Sequence, residues 1–299
     1  MAPAGCGHRP FIARRVSRGI VAIHWKGVGV TVPANATTIS RPAGQRLVPD
    51  SGSATKPPIA VAVDLGSGSI GVWVTHRGFL SGPCGDAFAS VGTLVRRGRV
   101  VDAAGCAALL SELLRQYTDP VPAGGIVVAC RPVLSTQTDE QAMRRVLANA
   151  FAPSRLLFID TVRAAAIGAG AAAGTLLIAD VGAQLTEVAV LQHGHVIAAR
   201  RTDIGTRDIN REASPDLLTE IVRRHVNDLR NDPAAPGLAS AAATRGLILV
   251  GDGALHPGLP VRLSAALRLR VHCAATPRTA ALNGAALAAM TALRHPSVA

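Results

Sequence analysis

Two aspartates in this chain follow apolar segments and precede glycine-containing turns. Asp64 lies in VAVDLGSGS (residues 61–69), and Asp180 lies in LLIADVGAQLTE (residues 176–187). Carboxylates at such turns can hold Mg²⁺ through its water ligands, and glycine lets backbone N–H groups approach phosphate oxygens. A third turn of this kind, LILVGDGA, spans residues 247–254. We expect two similar half-domains that face a shared cleft and clamp a metal–nucleotide.

The first turn also matches the spacing GxGxxG, which is typical of dinucleotide-binding proteins. It runs from Gly66 to Gly71, and Asp86 lies twenty residues beyond its first glycine. In dinucleotide-binding proteins the glycines open a helix whose N-terminus holds the pyrophosphate. Here the β-branched and aromatic residues of VWVT follow at once, which indicates a second strand. We therefore favour a hairpin whose turn contacts phosphate, with Ser67 and Ser69 as additional hydroxyl donors.

Strands and helices alternate along most of the chain and place these turns at strand ends. Apolar segments predict strands at residues 59–65, 71–76, 126–130, 156–159, 176–180, 187–192, 195–201, 247–250 and 270–273. Helices are predicted at residues 103–117, 138–150, 162–173, 207–230, 257–268 and 278–294, with a linker at 231–245. The second half repeats the order of the first, which indicates an α/β protein of two related halves.

The composition favours one large or two small cores that are packed through small side chains. The chain has 299 residues, of which 48% are hydrophobic and 3% aromatic. Because Ala and Gly are abundant, we expect helices that approach each other closely. The five cysteines form neither a CxxC pair nor a cluster with histidine, so we expect reduced thiols in the cytoplasm and no zinc site. We expect neither a transmembrane helix nor a signal peptide, because no segment has the required length or pattern.

The net charge of +12 is concentrated at the N-terminus. Residues 1–58 carry eight Lys/Arg and one Asp, whereas the other residues carry 23 Lys/Arg and 18 Asp/Glu. Because the body of the chain has no basic run interleaved with aromatic residues, we expect no nucleic-acid partner. Residues 1–58 are predicted to be a disordered basic extension. Within them, residues 11–26 could form an amphipathic helix on an anionic membrane. The alternative is an unstructured tail or an extension that results from a wrongly chosen start codon.

From residue 59 to about residue 292, the chain resembles the actin and heat-shock-chaperone ATPase superfamily, and most of all the bacterial actin homologue MreB. VDLGSGS matches the first phosphate motif of that family, and IADVGAQLTEVAVLQHGHVIAARRTDIG matches the second with its hairpin. IVVACRPVLSTQTDEQAMRRVLANA and LLFIDTVRAAAIGAG match the connecting segment, LVGDGALHPGL matches the adenosine motif, and PRTAALNGAALA matches the closing helix. Five motifs in the family's order are specific for its fold.

The resemblance implies an α/β fold with two lobes, of the actin and heat-shock-chaperone ATPase (ribonuclease H-like) type, whose outer subdomains are reduced. Residues 59–174 and the closing helix 276–294 would form the first lobe, and residues 175–275 would form the second. ATP and Mg²⁺ are the implied cofactors, and Asp64 and Asp180 would hold the metal. The implied nucleotide-binding residues are Asp64, Gly66, Ser67, Gly68, Ser69, Asp180, Gly182, Ala183, Gln184, Leu185, Gly251, Asp252, Gly253 and Ala254.

The chain also departs from the family in several places. The second phosphate turn of MreB-like proteins has Gly-Gly-Gly-Thr after Asp-x, whereas residues 182–185 are Gly-Ala-Gln-Leu. Asp252 replaces the middle glycine of the adenosine turn, where a carboxylate would face phosphate or crowd the base. The outer subdomain that family members insert after the helix at 207–230 is effectively missing. These departures weaken the expectation of tight nucleotide binding and of polymerisation.

Hydrolysis would need a group that orients water toward the terminal phosphate. In MreB-like chains a Glu near the start of the connecting helix has this role, and the matching residue here is Asp139 or, with a shift of one position, Glu140. Either carboxylate could equally be a helix N-terminal residue that the helix dipole favours.

Three hypotheses about function follow from the resemblance. In the first, the chain is an MreB-like protein of cell shape or cell-envelope assembly that binds ATP–Mg²⁺ weakly with slow or no hydrolysis. It would act by self-association or with envelope assembly proteins, in the cytoplasm or against the membrane. The second is a pseudo-ATPase that acts as an interaction module without nucleotide. The third is a small-molecule kinase of the same superfamily.

Overall fold

A computed structural model describes residues 58–84, 93–171, 173–209 and 216–294. All of these residues belong to one compact unit, Thr55–Ala299. The predicted extension up to residue 57, including the amphipathic segment 11–26, lies outside the described residues. Among the helices of the described ranges, none combines the length and the apolar character that crossing a membrane requires.

The described ranges contain strands and helices in the following order. The strands are β1 (Ala60–Leu65), β2 (Ser69–Val74), β3 (Gly78–Pro83), β4 (Val95–Arg96), β5 (Arg99–Val100), β6 (Ile126–Arg131), β7 (Arg155–Asp160), β8 (Thr175–Val181), β9 (Thr186–Gln192), β10 (His195–Thr202), β11 (Leu247–Val250) and β12 (Val271–Cys273). The α-helices are α1 (Ala103–Arg115), α2 (Gln137–Phe151), α3 (Thr161–Gly168), α4 (Asp216–Arg230), α5 (Leu238–Ala243), α6 (Leu259–Leu267) and α7 (Ala280–Arg294).

Two five-stranded sheets follow the same plan. Their strand orders are β3-β2-β1-β6-β7 and β10-β9-β8-β11-β12. In each sheet three antiparallel strands that are consecutive in the chain are extended by two parallel strands. The predicted α/β architecture with two related halves is therefore confirmed. The glycines of the GxGxxG spacing, Gly66 to Gly71, lie at the turn of the β1–β2 hairpin and do not open a helix. The interpretation of this segment as a dinucleotide-binding site is therefore wrong.

The alternation of side chains along each strand determines which residues face the space between the sheets. In β1, Ala60 and Ala62 belong to the core that both sheets share, whereas Val61 and Val63 face the core of the first sheet's outer side. The same alternation applies in β8. Because successive side chains point to opposite faces, Asp64 and Asp180 both lie on the inner faces, next in line after these core residues. The residues just before the two aspartates are continuously apolar because helices cover both faces of each sheet.

Helices α3 and α7 pack against each other in the shared core, and they confirm the predicted close approach of helices. At Gly284 an added Cβ would lie 1.7 Å from the carbonyl oxygen of Ala164, and at Gly168 it would lie 2.0 Å from that of Ala280. No side chain fits at either position, so the two helix backbones are in direct contact.

Several predicted elements differ from the observed ones. The hairpin β4–β5 and the edge strand β3 were not predicted. The helix predicted at 162–173 ends at Gly168, because the chain turns through Gly170 at φ 70°. The start of the helix predicted at 207–230 is wrong, since residues 206–208 form a 3₁₀ turn, Ile209 is extended, and α4 is described from Asp216. The predicted linker 231–245 contains α5, whose Ala239 and Ala242 are buried.

Candidate functional site

A cavity of about 110 Å³ lies where the two sheets bring their glycine turns together. The first two glycine turns lie at the ends of β1 and β8. The third glycine turn, which belongs to the segment that matches the family's adenosine motif, follows β11 beside β8. The predicted residues that line the cavity are Asp64, Gly66, Ser67, Gly68, Ser69, Asp180, Gly182, Ala183, Gln184, Leu185, Gly251 and Asp252.

Four predicted residues do not line this cavity. Gly253 packs under the second turn, where an added Cβ would lie 2.5 Å from Cβ of Val181. Ala254 belongs to the core on the outer side of the second sheet. Asp139 and Glu140 lie at the start of α2, outside the cavity lining.

Asp64 and Asp180 line the cavity, one from each of the two sheets. Burial raises the pKa of Asp64 to about 6. Burial, together with repulsion from Asp64 and Asp252, raises the pKa of Asp180 to about 7. These shifts mean that the site contains carboxyl groups that lack a compensating positive charge. A cation held between them would favour their ionised forms.

Glu187 is a site residue that our sequence analysis did not assign. It is only 2% exposed, lines the cavity, and lies directly opposite Asp180 in the β8–β9 hairpin. Its carboxyl group accepts a hydrogen bond from the backbone N–H of Val133. Burial and the repulsion of Asp180 raise the pKa of Glu187 well above its ordinary value. The sequence contained a signal for this residue. In the predicted hairpin that follows Asp180, a four-residue turn at 182–185 places residue 187 directly across from residue 180.

The two turns touch each other in this structure. A Cβ added to Gly68 would lie 3.0 Å from Cβ of Ala183 and 3.5 Å from Oδ2 of Asp252. Asp252 is paired with Arg278, with 2.6 Å between Oδ1 and Nε. Sites for small-molecule ligands usually have volumes of about 300–1,000 Å³. A nucleoside triphosphate therefore fits only after the cleft has widened.

Asp139 and Glu140 have structural partners at the start of α2. The carboxylate of Asp139 accepts a hydrogen bond from Thr136 N at 3.0 Å and completes a capping box, and it lies 3.7 Å from Arg99. Glu140 is paired with Arg131 at 2.9 Å and with Arg144 at 2.6 Å. These partners match the alternative that both are helix N-terminal carboxylates.

The donor set suits a cation that keeps most of its water. In the described ranges no three His, Cys, Asp or Glu residues are arranged to hold a metal ion together. Asp64 and Asp180 are two carboxylates beside a small polar cavity, which is the kind of site that Mg²⁺ occupies with retained waters and substrate phosphates. Cys130 also lines the cavity, but burial raises the pKa of its thiol well above the ordinary value, so it is a poor ligand and nucleophile.

Comparisons with known proteins agree with this architecture. The profile of the family described as MreB/Mbl protein matches residues 90–214. A comparison with curated protein sequences gave no match. MreB5 of Spiroplasma citri, solved with AMPPNP, is similar with a TM-score of 0.69 and 15% identity, over 80% of this chain and 98% of that chain.

Two further solved structures have the same fold. The ethanolamine utilization protein EutJ from Carboxydothermus hydrogenoformans gives a TM-score of 0.54 and 20% identity, over 78% of this chain and 90% of that chain. A chain of the PilM–PilN type IV pilus biogenesis complex gives a TM-score of 0.56 and 15% identity, over 77% of this chain and 98% of that chain. These likenesses confirm the predicted two-lobe actin-like fold. The matching profile, which covers less than half of the chain, shows that residues 90–214 are similar to the MreB/Mbl family.

Proposed function

We propose that this chain is an MreB-like protein of cell shape or cell-envelope assembly whose cleft binds ATP–Mg²⁺ weakly, with slow or no hydrolysis. The observation that carries the proposal is the pair of Asp64 and Asp180, which line one cavity from the ends of equivalent strands. Their raised pKa values mark a site that lacks positive charge. Mg²⁺ would supply that charge and link the carboxylates to the phosphates.

An adenine nucleotide is the ligand we expect. MreB5 of Spiroplasma citri was crystallised with AMPPNP and also with ADP, the latter structure giving a TM-score of 0.63 and 14% identity. In this chain the turn Gly66–Ser69 would contact the phosphates, and the turn at Gly251 would lie near the adenosine. Gly66 and Gly251 both line the cavity.

Weak binding and slow turnover follow from the closed cleft and from the partners of the acidic residues. The present cavity of about 110 Å³ must widen before a nucleotide enters, and widening costs free energy. Asp139 and Glu140 cap α2 or pair with arginines, so neither is free to orient a water molecule without losing those contacts.

We further propose that the chain has two lobes that move relative to each other. The first lobe consists of residues 59–174 and helix 276–294, and the second consists of residues 175–275. Nucleotide would set how far they close, and the closed form would self-associate or bind an envelope assembly protein. The protein would act in the cytoplasm, and residues 11–26 would provide contact with a membrane.

A pseudo-ATPase is the second candidate, and one observation favours it. Ala183 lies against Gly68 at the place where the two phosphate turns of the superfamily hold phosphate between them. If that contact does not open, the chain would act as an interaction module without nucleotide.

Thermal unfolding with ATP and Mg²⁺ tests the nucleotide proposal. For a Kd of about 1 mM, 10 mM ATP–Mg²⁺ should stabilise the fold by about 1.4 kcal/mol, which raises Tm by several degrees. Asp64→Asn and Asp180→Asn should each abolish this increase, because they remove a carboxylate that holds the cation. Asp119→Asn is the matched control, since Asp119 is exposed and lies outside the cavity lining.

The same titration separates the two candidates. An unchanged Tm at 10 mM ATP–Mg²⁺ would contradict the proposal and favour the pseudo-ATPase. If Asp119→Asn also abolished the increase, the stabilisation would not come from the cleft. Phosphate release slower than about one per minute at saturating ATP would agree with the proposed slow turnover, far below the median enzyme rate of about 10 s⁻¹.

A further inference from the structure

We propose that the second glycine turn of this chain has become a contact surface that holds the cleft closed in the absence of nucleotide. This surface consists of Ala183, Gln184 and Leu185 together with Arg201 and Arg207, and we call it the closure contact. The inference goes beyond the proposed function, because it concerns the free protein and holds whether or not ATP binds.

The residues that replace the family's Gly-Gly-Thr in the second turn are the ones that reach the first half. Ala183 packs against Gly68 of the first turn. Oε1 of Gln184 accepts a hydrogen bond from Arg97 N at 3.2 Å, at the tip of the β4–β5 hairpin. Leu185 packs on the same tip, where a Cβ added to Gly98 would lie 2.9 Å from its Cδ2. The family's glycines at positions 183 and 184 could make neither of the first two contacts, and its threonine at position 185 lacks the Cδ2 atom that makes the third.

Arg201 supplies a charged and nearly buried part of the closure contact. Its side chain is 7% exposed, and its Nη2 donates to the carbonyl oxygen of Arg97 at 2.6 Å. Its Nε lies 3.2 Å from Oδ1 of Asp203. Asp203 in turn accepts from the hairpin, with 2.7 Å between its carbonyl oxygen and Nη1 of Arg97 and 2.9 Å between Oδ2 and Nη1 of Arg99. Charge-assisted hydrogen bonds with so little exposure are screened less than surface pairs.

Arg207 reaches across the cleft to the first turn itself. Its guanidinium donates to the carbonyl oxygens of Ser67 at 3.3 Å, Gly68 at 3.3 Å and Cys84 at 3.2 Å. Arg207 is exposed, so these bonds are weaker than those of Arg201. The same group therefore fixes the first turn against the second half of the molecule.

The consequence is a free protein whose cleft is mainly closed. A ligand that needs the open form binds with an apparent affinity reduced by the fraction of molecules that are open. Release of the closure contact should therefore expose the cavity, and it should strengthen nucleotide binding if the cleft binds nucleotide at all.

Thiol labelling of the full-length protein without nucleotide tests this inference. Cys130 is 2% exposed and lines the cavity, so its thiol is shielded and unreactive while the cleft is closed and becomes reactive when opening ends its burial. Cys106, on α1, is fully buried in the core of the first sheet's outer side. Labelling of each cysteine with a maleimide is followed by peptide mass spectrometry, so that Cys106 reports unfolding and Cys130 reports opening. Arg201→Met should increase the labelling rate of Cys130 about tenfold or more, because it removes charge-assisted hydrogen bonds. The rate at Cys106 should not change.

Two more variants keep the test independent of the stability of Arg201→Met. Arg207→Met should increase Cys130 labelling by a smaller factor. The triple variant Ala183→Gly, Gln184→Gly, Leu185→Thr restores the family's turn and should increase it at least as much as Arg201→Met. The matched control is Arg223→Met, which removes an exposed ion pair with Glu220 on α4 and should change neither rate.

Two outcomes would overturn the proposal. One is a Cys130 rate that stays at the wild-type value in all three variants. The other is a parallel increase at Cys106 in all three, which would attribute the exposure to unfolding. Increased Cys130 labelling without any Tm response to ATP–Mg²⁺ would support the closure contact while contradicting the proposed nucleotide binding.

Discussion

The two glycine turns have the same length and different side chains. Gly66–Ser69 joins the pair Leu65–Ile70, and Gly182–Leu185 joins the pair Val181–Thr186, so each turn has four residues. The first is Gly-Ser-Gly-Ser and the second is Gly-Ala-Gln-Leu. The first exposes backbone and hydroxyl groups to the cavity, whereas the second carries side chains that contact the other half. The difference teaches that a turn can keep its backbone while its side chains acquire another role.

The residues opposite the two aspartates differ as well. Gly71 lies across from Asp64, and Glu187 lies across from Asp180. A Cβ at Gly71 would lie 2.8 Å from Cδ2 of Leu282 on α7, so any larger residue there must displace that side chain. In the second hairpin the equivalent position is filled by a buried acid. The acidic side of the cleft therefore belongs mainly to the second hairpin.

The largest expected difference between the turns concerns their first glycines. In Gly66→Ala the new Cβ would lie 2.8 Å from the carbonyl oxygen of Ser69, whereas in Gly182→Ala it would lie 3.3 Å from that of Leu185. Because a backbone atom cannot move aside cheaply, Gly66→Ala should lower the free energy of unfolding by about 2–3 kcal/mol, and Gly182→Ala by less than about 1 kcal/mol. Urea denaturation measures both. Equal losses would mean that the two turns do not differ in tightness.

A pH-dependent difference should separate the positions opposite the aspartates. The pKa of Glu187 is raised in the folded protein, so its contribution to stability is complete at low pH and is lost as pH rises toward the folded pKa. Glu187→Gln keeps an acceptor for Val133 N and cannot ionise. The stability of the variant relative to the wild type should rise from pH 5 to pH 8, with a slope of at most about 1.4 kcal/mol per pH unit.

Denaturation curves at pH 5, 6, 7 and 8 measure this effect. Glu220→Gln is the control, because Glu220 lies on the exposed face of α4 and is paired with Arg223. A stability difference between Glu187→Gln and the wild type that is constant with pH would contradict the buried-acid interpretation.

The smallest effect is expected at the second positions of the turns. Ser67 Oγ accepts a hydrogen bond from Gly98 N at 3.1 Å. Ser67→Ala should therefore lower the free energy of unfolding, measured by thermal denaturation, by about 1 kcal/mol. The reciprocal change, Ala183→Ser, adds a hydroxyl beside Gly68 without removing a hydrogen bond of the native turn. It should change stability by less than about 0.5 kcal/mol. A larger loss in Ala183→Ser than in Ser67→Ala would reverse the comparison.

Much of the fold could be predicted from the sequence because its signals are local. The apolar run before Asp64, the turn glycines and the Ala-rich helices each indicate their own structure within a few residues. Even the inner orientation of Asp64 and Asp180 follows from strand alternation once the core faces are known. The hairpin β4–β5 escaped prediction because its strands have only two residues each, with Arg97 and Gly98 at its turn.

The contacts of the site could not be predicted, because they join residues that are distant in the chain. Nothing near Arg207 indicates that its guanidinium reaches Ser67, and nothing near Gln184 indicates Arg97 as its partner. The sequence marked Gln184 and Leu185 as departures from the family pattern. It contained no information on whether those departures had lost one role or acquired another.

The contact between α3 and α7 has a mechanical consequence. Helices separated by a layer of interlocking side chains can slide by small steps, which is the basis of shear motion between domains. At Gly168 and Gly284 no such layer exists, because each helix backbone rests directly on the other. Any displacement along the helix axes would drive carbonyl oxygens into the neighbouring chain, whereas rotation about the crossing point keeps their separation constant. Relative motion of α3 and α7 is thereby restricted to a pivot, with its axis through the two glycines.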